Sequence, residues 1–521
     1  MIPSDKLVGA VKSFVREGFQ HVFGKPKVVP SPDPEWKKLR DTGTALWLDT
    51  GDIDEAKKLW CSDFVALTTN NTLLNREVQK GIYDGLVKRA AGAVKKTEPG
   101  IADSDLMLEI AFILNAYHGL RLVETFDVQV SVELHTDLAH DIERTVHYGK
   151  RYFDICPERF YVKVPLTPAG YLAARRLGRM SVPINFTLGF SARQNYLAAL
   201  LTRPSFVNVF MGRLNAFAAD NHVGDGKNVG EKATLSTQRE LVELRKQNRT
   251  KTMLIGASMR DSSQVASLAG LDVYTMPPKV AAGYRAKPAP ALVSQVPIDP
   301  RVELGAESGV FRSLWEVSTT FKACVDRLLQ RDVDQMKPDA MVRHFESAGF
   351  GDFLPSWSAD AVKIIGTDGK IPVYEHWKTQ LRNGQIGLDA LMNAAGFYSF
   401  AADQKALDER VRSLLKLHNF ASFHCLTLYR KYGFMGHMKT TLEIPDALFR
   451  QAKASAALKG QSLKGFVVVA LHEKLSAGRT PVAQSPWQRF FGSFRNRAAQ
   501  IRNIQTRVDR EFSRIDPEEW R

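Results

Sequence analysis

Between residues 44 and 285, short apolar runs rich in β-branched and aromatic residues alternate with stretches of helical period. The runs are TALWLD (44–49), DFVALT (63–68), VQVSVEL (128–134), RFYVKV (159–164), VPINFTL (182–188), SFVNVFM (205–211), TMLIGAS (252–258) and LDVYTM (271–276). Segments between them, such as DIDEAKKLW, TPAGYLAARRLG and SARQNYLAALL, open on Asp, Thr or Ser, the residues that cap helix N-termini. Eight such β-runs with helices between them predict an α/β fold, a parallel (β/α)8 (TIM) barrel over 41–300. The connection 69–127 is long enough for two or three extra helices. From 310 to 415 the pattern turns mostly helical, which predicts a C-terminal helical extension (301–420) on the barrel exterior or over one rim. Residues 1–40 read as a helical segment of open role, amphipathic and basic at its start, with docking favoured over a membrane surface.

Within this pattern RFYVKVPLTPAG raises a question. Phe160, Val162 and Val164 form one face of a strand that Pro165 stops, and Lys163 sits among them near its end. A charged lysine there is costly unless it faces something polar.

The chain has 521 residues, 44% hydrophobic and 24% charged, the composition of a soluble globular protein. No apolar run approaches the roughly 18 residues of a membrane span, and the N-terminus lacks a signal-peptide core. Four scattered cysteines, Cys61, Cys156, Cys324 and Cys425, form no CxxC pair. They point to a reducing, cytoplasmic compartment and away from zinc or a disulfide framework. The net charge of +15 implies an anionic partner without separating phosphorylated metabolites from nucleic acid.

In a parallel barrel, chemistry lies at the C-terminal strand ends. Those positions hold Asp49, Asn70, Glu133, Lys163, Asn185 with Thr187, Arg213, and Ser258 with Arg260. Each has a plainer reading. Asp49 could cap the next helix, Asn70 could sit in a turn, Glu133 could pair with a surface lysine, the arginines could be solvated, and Lys163 could snorkel to the rim. Packing alone gives no reason to end successive strands with so many polar groups.

These segments resemble the transaldolase family of Schiff-base aldolases. The matching stretches are LWLDTGDIDEAKKL, TTNNTLLNRE, VSVEL, FYVKVPLTPAG, PINFTLGFSARQ, VFMGRLNA and IGASMRDSSQV, in the family's order over about residues 44–285. The resemblance implies that Lys163 forms an imine with a ketose carbonyl and that Asp49 is the general base of C–C cleavage. Glu133 and Thr187 would hold the proton-shuttling water. Asn70 and Asn185 would bind substrate hydroxyls, and Arg213, Ser258 and Arg260 the terminal phosphate. A dihydroxyacetone unit would pass from sedoheptulose 7-phosphate or fructose 6-phosphate to an aldose phosphate, in the pentose phosphate pathway, with no metal or organic cofactor.

The sequence departs from the family pattern in places. Asn71 stands where a proline is usual, and Asn208 where a serine is common, still able to bind a hydroxyl. Phe210 stands where the simple-aldolase branch tends to have tyrosine, which favours transfer over net aldol cleavage. The Gly-rich stretch DNHVGDGKNVGEKATLST reads as a mobile lid or inserted loop.

Residues 438–475, MKTTLEIPDALFRQAKASAALKGQSLKGFVVVALHEKL, read as a strand followed by two helices. This unit, 437–478, resembles the ribbon-helix-helix family of antitoxin-type repressors. The resemblance implies a homodimer whose paired strands present Lys439, Thr441 and Glu443 to DNA. The basic, aromatic tail 479–521 resembles a toxin-binding tail and reads equally as a solvated amphipathic helix. Two alternatives to the transferase therefore stand: a DNA-binding module fused to a barrel, and a simple Schiff-base sugar-phosphate aldolase.

Overall fold

The computed structural model describes residues 2–415. The ribbon-helix-helix-like segment and the tail, with Lys439, Thr441 and Glu443, lie outside the described residues. Among those described, eight parallel strands close into a barrel in sequence order. They are β1 (Ala45–Asp49), β2 (Phe64–Thr68), β3 (Gln129–Glu133), β4 (Phe160–Pro165), β5 (Ile184–Thr187), β6 (Phe206–Phe210), β7 (Met253–Ala257) and β8 (Val273–Met276), and β8 closes on β1. Each falls within or against one of the eight apolar runs.

Strand alternation explains RFYVKV. Side chains of period two point to opposite faces. Phe160, Val162 and Val164 are buried on the outer face, where the surrounding helices pack. Tyr161 and Lys163 point into the barrel. Tyr161 joins Trp47, stacked at 6.0 Å, and Phe206 in an aromatic plug at the N-terminal end of the barrel interior. This apolar floor leaves the C-terminal layer free for polar groups.

The 69–127 excursion holds three helices, Asn71–Gln79, Asp84–Thr97 and Asp103–Phe126. The last is long and apolar enough to cross a membrane by length and composition, but 89% of its apolar window is buried inside the protein. The sequence reading passed over it because Glu109, Arg121 and Glu124 interrupt the apolar pattern. Glu109 is neutralised internally by Arg151, whose Nη1 donates to it at 2.7 Å, and by the Tyr148 hydroxyl at 2.6 Å. The N-terminal helix Asp5–Arg16 is capped by Ser4 and buries Leu7, Val11 and Val15 on one stripe. It packs on Asp84–Thr97 and Asp103–Phe126, the docking role.

The Gly-rich stretch corrects the expectation of a long lid. From residue 229 on it is helix, Val229–Lys246, and only the short 221–228 connection precedes it. Its Ser, Thr and Gly residues disguised the helix. Thr234 and Thr237 donate to the carbonyls four residues back, Gly230 and Ala233, both at 2.7 Å, so their hydroxyls are satisfied inside it.

The helical extension both covers the barrel exterior and reaches its rim. Its last described helix, Leu388–Leu415, packs along Asn71–Gln79. It is anchored by Asp389, fully buried, which takes Arg193 Nε at 2.8 Å, Arg193 Nη2 at 2.7 Å and the Ser191 hydroxyl at 2.7 Å.

Candidate active site

A polar cavity of about 600 Å³ opens at the C-terminal ends of the strands. Asp49, Asn70, Lys163, Asn185, Arg213 and Arg260 line it, along with Asn208, Phe210 and Ser258. The barrel register brings them together: Lys163 pairs with Glu133 on one side and Asn185 on the other.

Lys163 does not snorkel; it is only 4% exposed. Its Nζ donates to the Thr69 carbonyl at 3.2 Å and lies 3.6 Å from Glu133 Oε2. Glu133 is 3% exposed and also accepts the Asn71 backbone N–H at 3.3 Å. Asn71 is the first residue of Asn71–Gln79, so an asparagine in place of the family's usual proline donates a backbone bond that proline could not. Burial pushes the Glu133 carboxyl above its usual range, against the opposing pull of Lys163.

Asp49 is also not a helix cap; Asp52 caps Ile53–Leu59. The Asp49 carboxylate accepts from Thr68 Oγ1 at 2.8 Å, and Thr68 in turn meets Thr275 Oγ1 at 2.6 Å. Burial raises the Asp49 pKa, while Lys163, the Thr68 hydrogen bond, Arg260 and Arg76 oppose the rise. Two carboxyls, half-buried Asp49 and buried Glu133, that hold protons more tightly than free ones and both act on one lysine suit proton transfer.

Asn70 caps Asn71–Gln79, its Oδ1 taking the Leu73 N–H at 2.8 Å, while its side chain also lines the cavity. Asn185 donates to Ser131 Oγ at 3.0 Å, leaving its buried Oδ1 without a protein partner. Thr187, fully buried, likewise has an unpartnered hydroxyl. Buried polar groups are rarely left unpaired, so both are places for a water or a substrate hydroxyl. Asn208 departs from expectation. Its amide is engaged at both ends with backbone, accepting from Gly189 N–H at 3.1 Å and donating to the Phe186 carbonyl. It ties β6 to the loop after β5 rather than offering a free group.

Arg213, in the first turn of Met211–Asp220, is 6% exposed and its Nη1 has no hydrogen-bond partner. Its guanidinium lies over the Phe210 ring at 5.5 Å and the Phe400 ring at 5.4 Å. Burial and then Arg260 bring its pKa down to about 10. Ser258 takes left-handed backbone, φ 62°, and sits beside exposed Arg260. Among the described residues no cluster of three or more His, Cys, Asp or Glu side chains could hold a metal.

Sequence reading missed Arg76, Lys370, Phe400 and Asp403, which also line the cavity. Arg76 stood inside TTNNTLLNRE, six residues after the loop asparagine Asn70, a signal that was available. The other three come from the extension, which the helical pattern placed on the exterior or over one rim without indicating which of its side chains reach the cavity.

A closed parallel barrel whose C-terminal strand ends gather a buried lysine, carboxyls and arginines around one polar cavity has the layout of a barrel enzyme. Residues 46–345 match the family described as Transaldolase/Fructose-6-phosphate aldolase, and the chain belongs to it. It is similar to the transaldolase of Xanthomonas euvesicatoria pv. vesicatoria (strain 85-10), 30% identical over 250 residues, 46% of this chain and 74% of the relative. Transaldolases of Prochlorococcus marinus subsp. pastoris (28% identical; 45% of this chain, 72% of the relative) and Protochlamydia amoebophila (27%; 45% and 73%) are similar too.

Proposed function

We propose that this family member transfers a dihydroxyacetone unit from a ketose phosphate, fructose 6-phosphate or sedoheptulose 7-phosphate, to an aldose phosphate through an imine on Lys163, as a step of the pentose phosphate pathway. The observation that carries the reading is the buried Lys163 amine facing a polar cavity, 3.6 Å from the Glu133 carboxylate.

The neutral Lys163 amine adds to the ketose C2 carbonyl. The carbinolamine loses water with protons relayed through Glu133 and a water held by the Thr187 hydroxyl, leaving a protonated imine. Asp49 takes the proton of the C4 hydroxyl. The C3–C4 bond breaks, its electron pair passes into the imine to give an enamine, and an aldose phosphate departs. The enamine then attacks the carbonyl carbon of the acceptor aldehyde while Asp49 returns its proton to the new alkoxide, and water releases the product. Asn70 and the Asn185 Oδ1 bind ketose hydroxyls, and Arg213, Ser258 and Arg260 hold the phosphate by charge-assisted bonds. Phe210 places no hydroxyl beside the enamine, which favours transfer over hydrolytic release.

Borohydride trapping tests this. Reduction in the presence of fructose 6-phosphate is expected to leave a dihydroxyacetone-derived or full-ketose adduct on Lys163, found by peptide mass. Folded protein with no adduct, across several ketose phosphates, would exclude the imine mechanism.

The strand–helix–helix pattern of 438–475 favours a second role, DNA binding as a homodimer. It predicts salt-sensitive affinity for duplex DNA that falls on Lys439→Ala.

A further inference from the structure

The phosphate end of the cavity carries more positive charge than Arg213 and Arg260 bring. Arg76, on Asn71–Gln79, and Lys370, in the extension, line the same cavity. Among the described residues, no acidic side chain forms an ion pair with any of these four cations. The carboxylate that acts on both Arg213 and Lys370 is Asp403, itself held by the Thr72 hydroxyl. Asp49 acts on Arg260 and Arg76 and, with Glu55 and Asp403, lines the same cavity, but these three carboxylates face six cationic side chains, Arg76, Lys163, Arg213, Arg260, Lys279 and Lys370, an excess that a bound anion would offset.

Lys370 is placed there by construction. The helix Ala359–Asp368 ends at Gly369 in left-handed backbone, φ 77°, and Lys370 follows at once. The short connection to Tyr374–Arg382 is tied down from both sides. Asp368 accepts the Val373 N–H at 3.1 Å and the Trp377 indole N–H at 3.1 Å. Asn221 donates to the Pro372 carbonyl at 2.9 Å and accepts the Tyr374 N–H at 2.7 Å. Asn221 terminates Met211–Asp220, the helix whose first turn carries Arg213. One rigid element therefore sets the positions of both cations. Burial, then Arg260, Arg213 and Arg76, lower the Lys370 pKa, as mutual repulsion within one cluster should.

We infer that Lys370, with Arg76, grips the substrate phosphate beside Arg213 and Arg260, so that the helical extension, beyond residue 345 where the family match ends, supplies a specificity-determining residue of the active site. The inference rests on the sugar-phosphate reading of the cavity. A compact ammonium and an arginine fork on the open side of the phosphate would strengthen its capture from solution. They would also raise the preference for phosphorylated over unphosphorylated sugars.

The test is the affinity of the full chain for inorganic phosphate, by isothermal titration, beside selectivity for fructose 6-phosphate over fructose. Lys370→Met is expected to weaken phosphate binding roughly tenfold and to lower that selectivity by a similar factor, mainly through KM. Lys370→Arg should retain most of both, and Arg76→Met should add to the loss. Unchanged phosphate affinity and selectivity in Lys370→Met, with an unchanged melting temperature, would overturn the assignment. Because phosphate binding needs no turnover, it is read separately from trapping at Lys163. A failed trap in the wild type removes the imine reading while the phosphate titration still decides for or against Lys370.

Discussion

Lys163 and Glu133 are register partners on adjacent strands, and Lys163 Nζ lies 3.6 Å from Glu133 Oε2 with both side chains buried. The distance exceeds a good hydrogen bond, and burial holds the Glu133 proton more tightly than in a free carboxyl. That arrangement suits the proton relay proposed for imine formation better than a locked ion pair. Glu133→Gln keeps the shape and removes the proton exchange. Imine formation, followed by the rate of borohydride trapping on Lys163, is expected to slow by about 10²-fold or more. An unchanged trapping rate would show that Glu133 takes no part in forming the imine.

Asp49 has a different expected signature, because the proposed mechanism places its role after the imine. In Asp49→Asn the C4 hydroxyl keeps its proton and the carbon bond stays intact. Turnover is expected to fall by roughly 10²- to 10⁴-fold. Trapped adduct should still form, now carrying the whole ketose rather than the three-carbon fragment. A three-carbon adduct in this variant would assign the base elsewhere.

The same substitution has a stability consequence with a definite sign. The Asp49 pKa is raised in the folded protein, so the folded state binds this proton more tightly than the unfolded chain does. The stability it contributes is present at low pH and is lost as pH rises from the ordinary carboxylate value of about 4 through the raised one. Asp49→Asn removes that loss. At pH 7 its melting temperature is expected to exceed the wild type's, and the gap should close as the pH is lowered toward about 4. For the wild type, the acid limb of kcat/KM should lie above the usual aspartate range.

The strands and their polar ends were legible because a barrel strand encodes both of its faces in period two. Tyr161 and Lys163 could be assigned to the interior once Phe160, Val162 and Val164 were assigned to the helices. The lid was misread because Thr234 and Thr237 look like loop residues until their hydroxyls find carbonyls one turn back. Asn208 was misjudged because a polar residue on an inward strand position can be consumed by backbone, which spacing does not reveal. Lys370, Phe400 and Asp403 were invisible for a further reason. They arrive from more than 100 residues beyond the strand ends they face, and only tertiary packing puts them there.

Gly212 shows how tightly the proposed phosphate end of the cavity is assembled. A Cβ at this position would come 2.0 Å from the Ser258 carbonyl oxygen and 2.6 Å from Arg260 Cγ. The helix carrying Arg213 can approach the Ser258–Arg260 turn only because residue 212 has no side chain. Gly212→Ala must push them apart, and Ser258 already sits in left-handed backbone that resists adjustment. The expected result is a loss of about 1–3 kcal/mol in stability, with a raised KM for phosphorylated substrates. A normal KM in a folded Gly212→Ala protein would mean that the two halves of the phosphate site need not touch.

Asp389 is where the extension can be cut loose without touching the cavity. It is fully buried, receives two nitrogens of Arg193 and the Ser191 hydroxyl, and begins the helix that carries Phe400 and Asp403 to the rim. Asp389→Ala leaves buried Arg193 with Asp352, 2.7 Å from its Nη2, as its remaining carboxylate and strips its Nε and the Ser191 hydroxyl of their acceptor, which costs up to about 3–5 kcal/mol. If the extension is part of the active site, the loss will not be confined to stability. Phe400 will leave the face of Arg213, and KM for phosphorylated substrates should rise even at temperatures where circular dichroism shows the barrel intact. Replacing Arg193 and Asp389 together with Met and Leu removes the uncompensated charge and should restore much of the stability. If KM recovers with it, the anchor acts by docking the helix. If stability recovers and KM does not, the ion pair itself fixes where the helix presents Phe400 and Asp403.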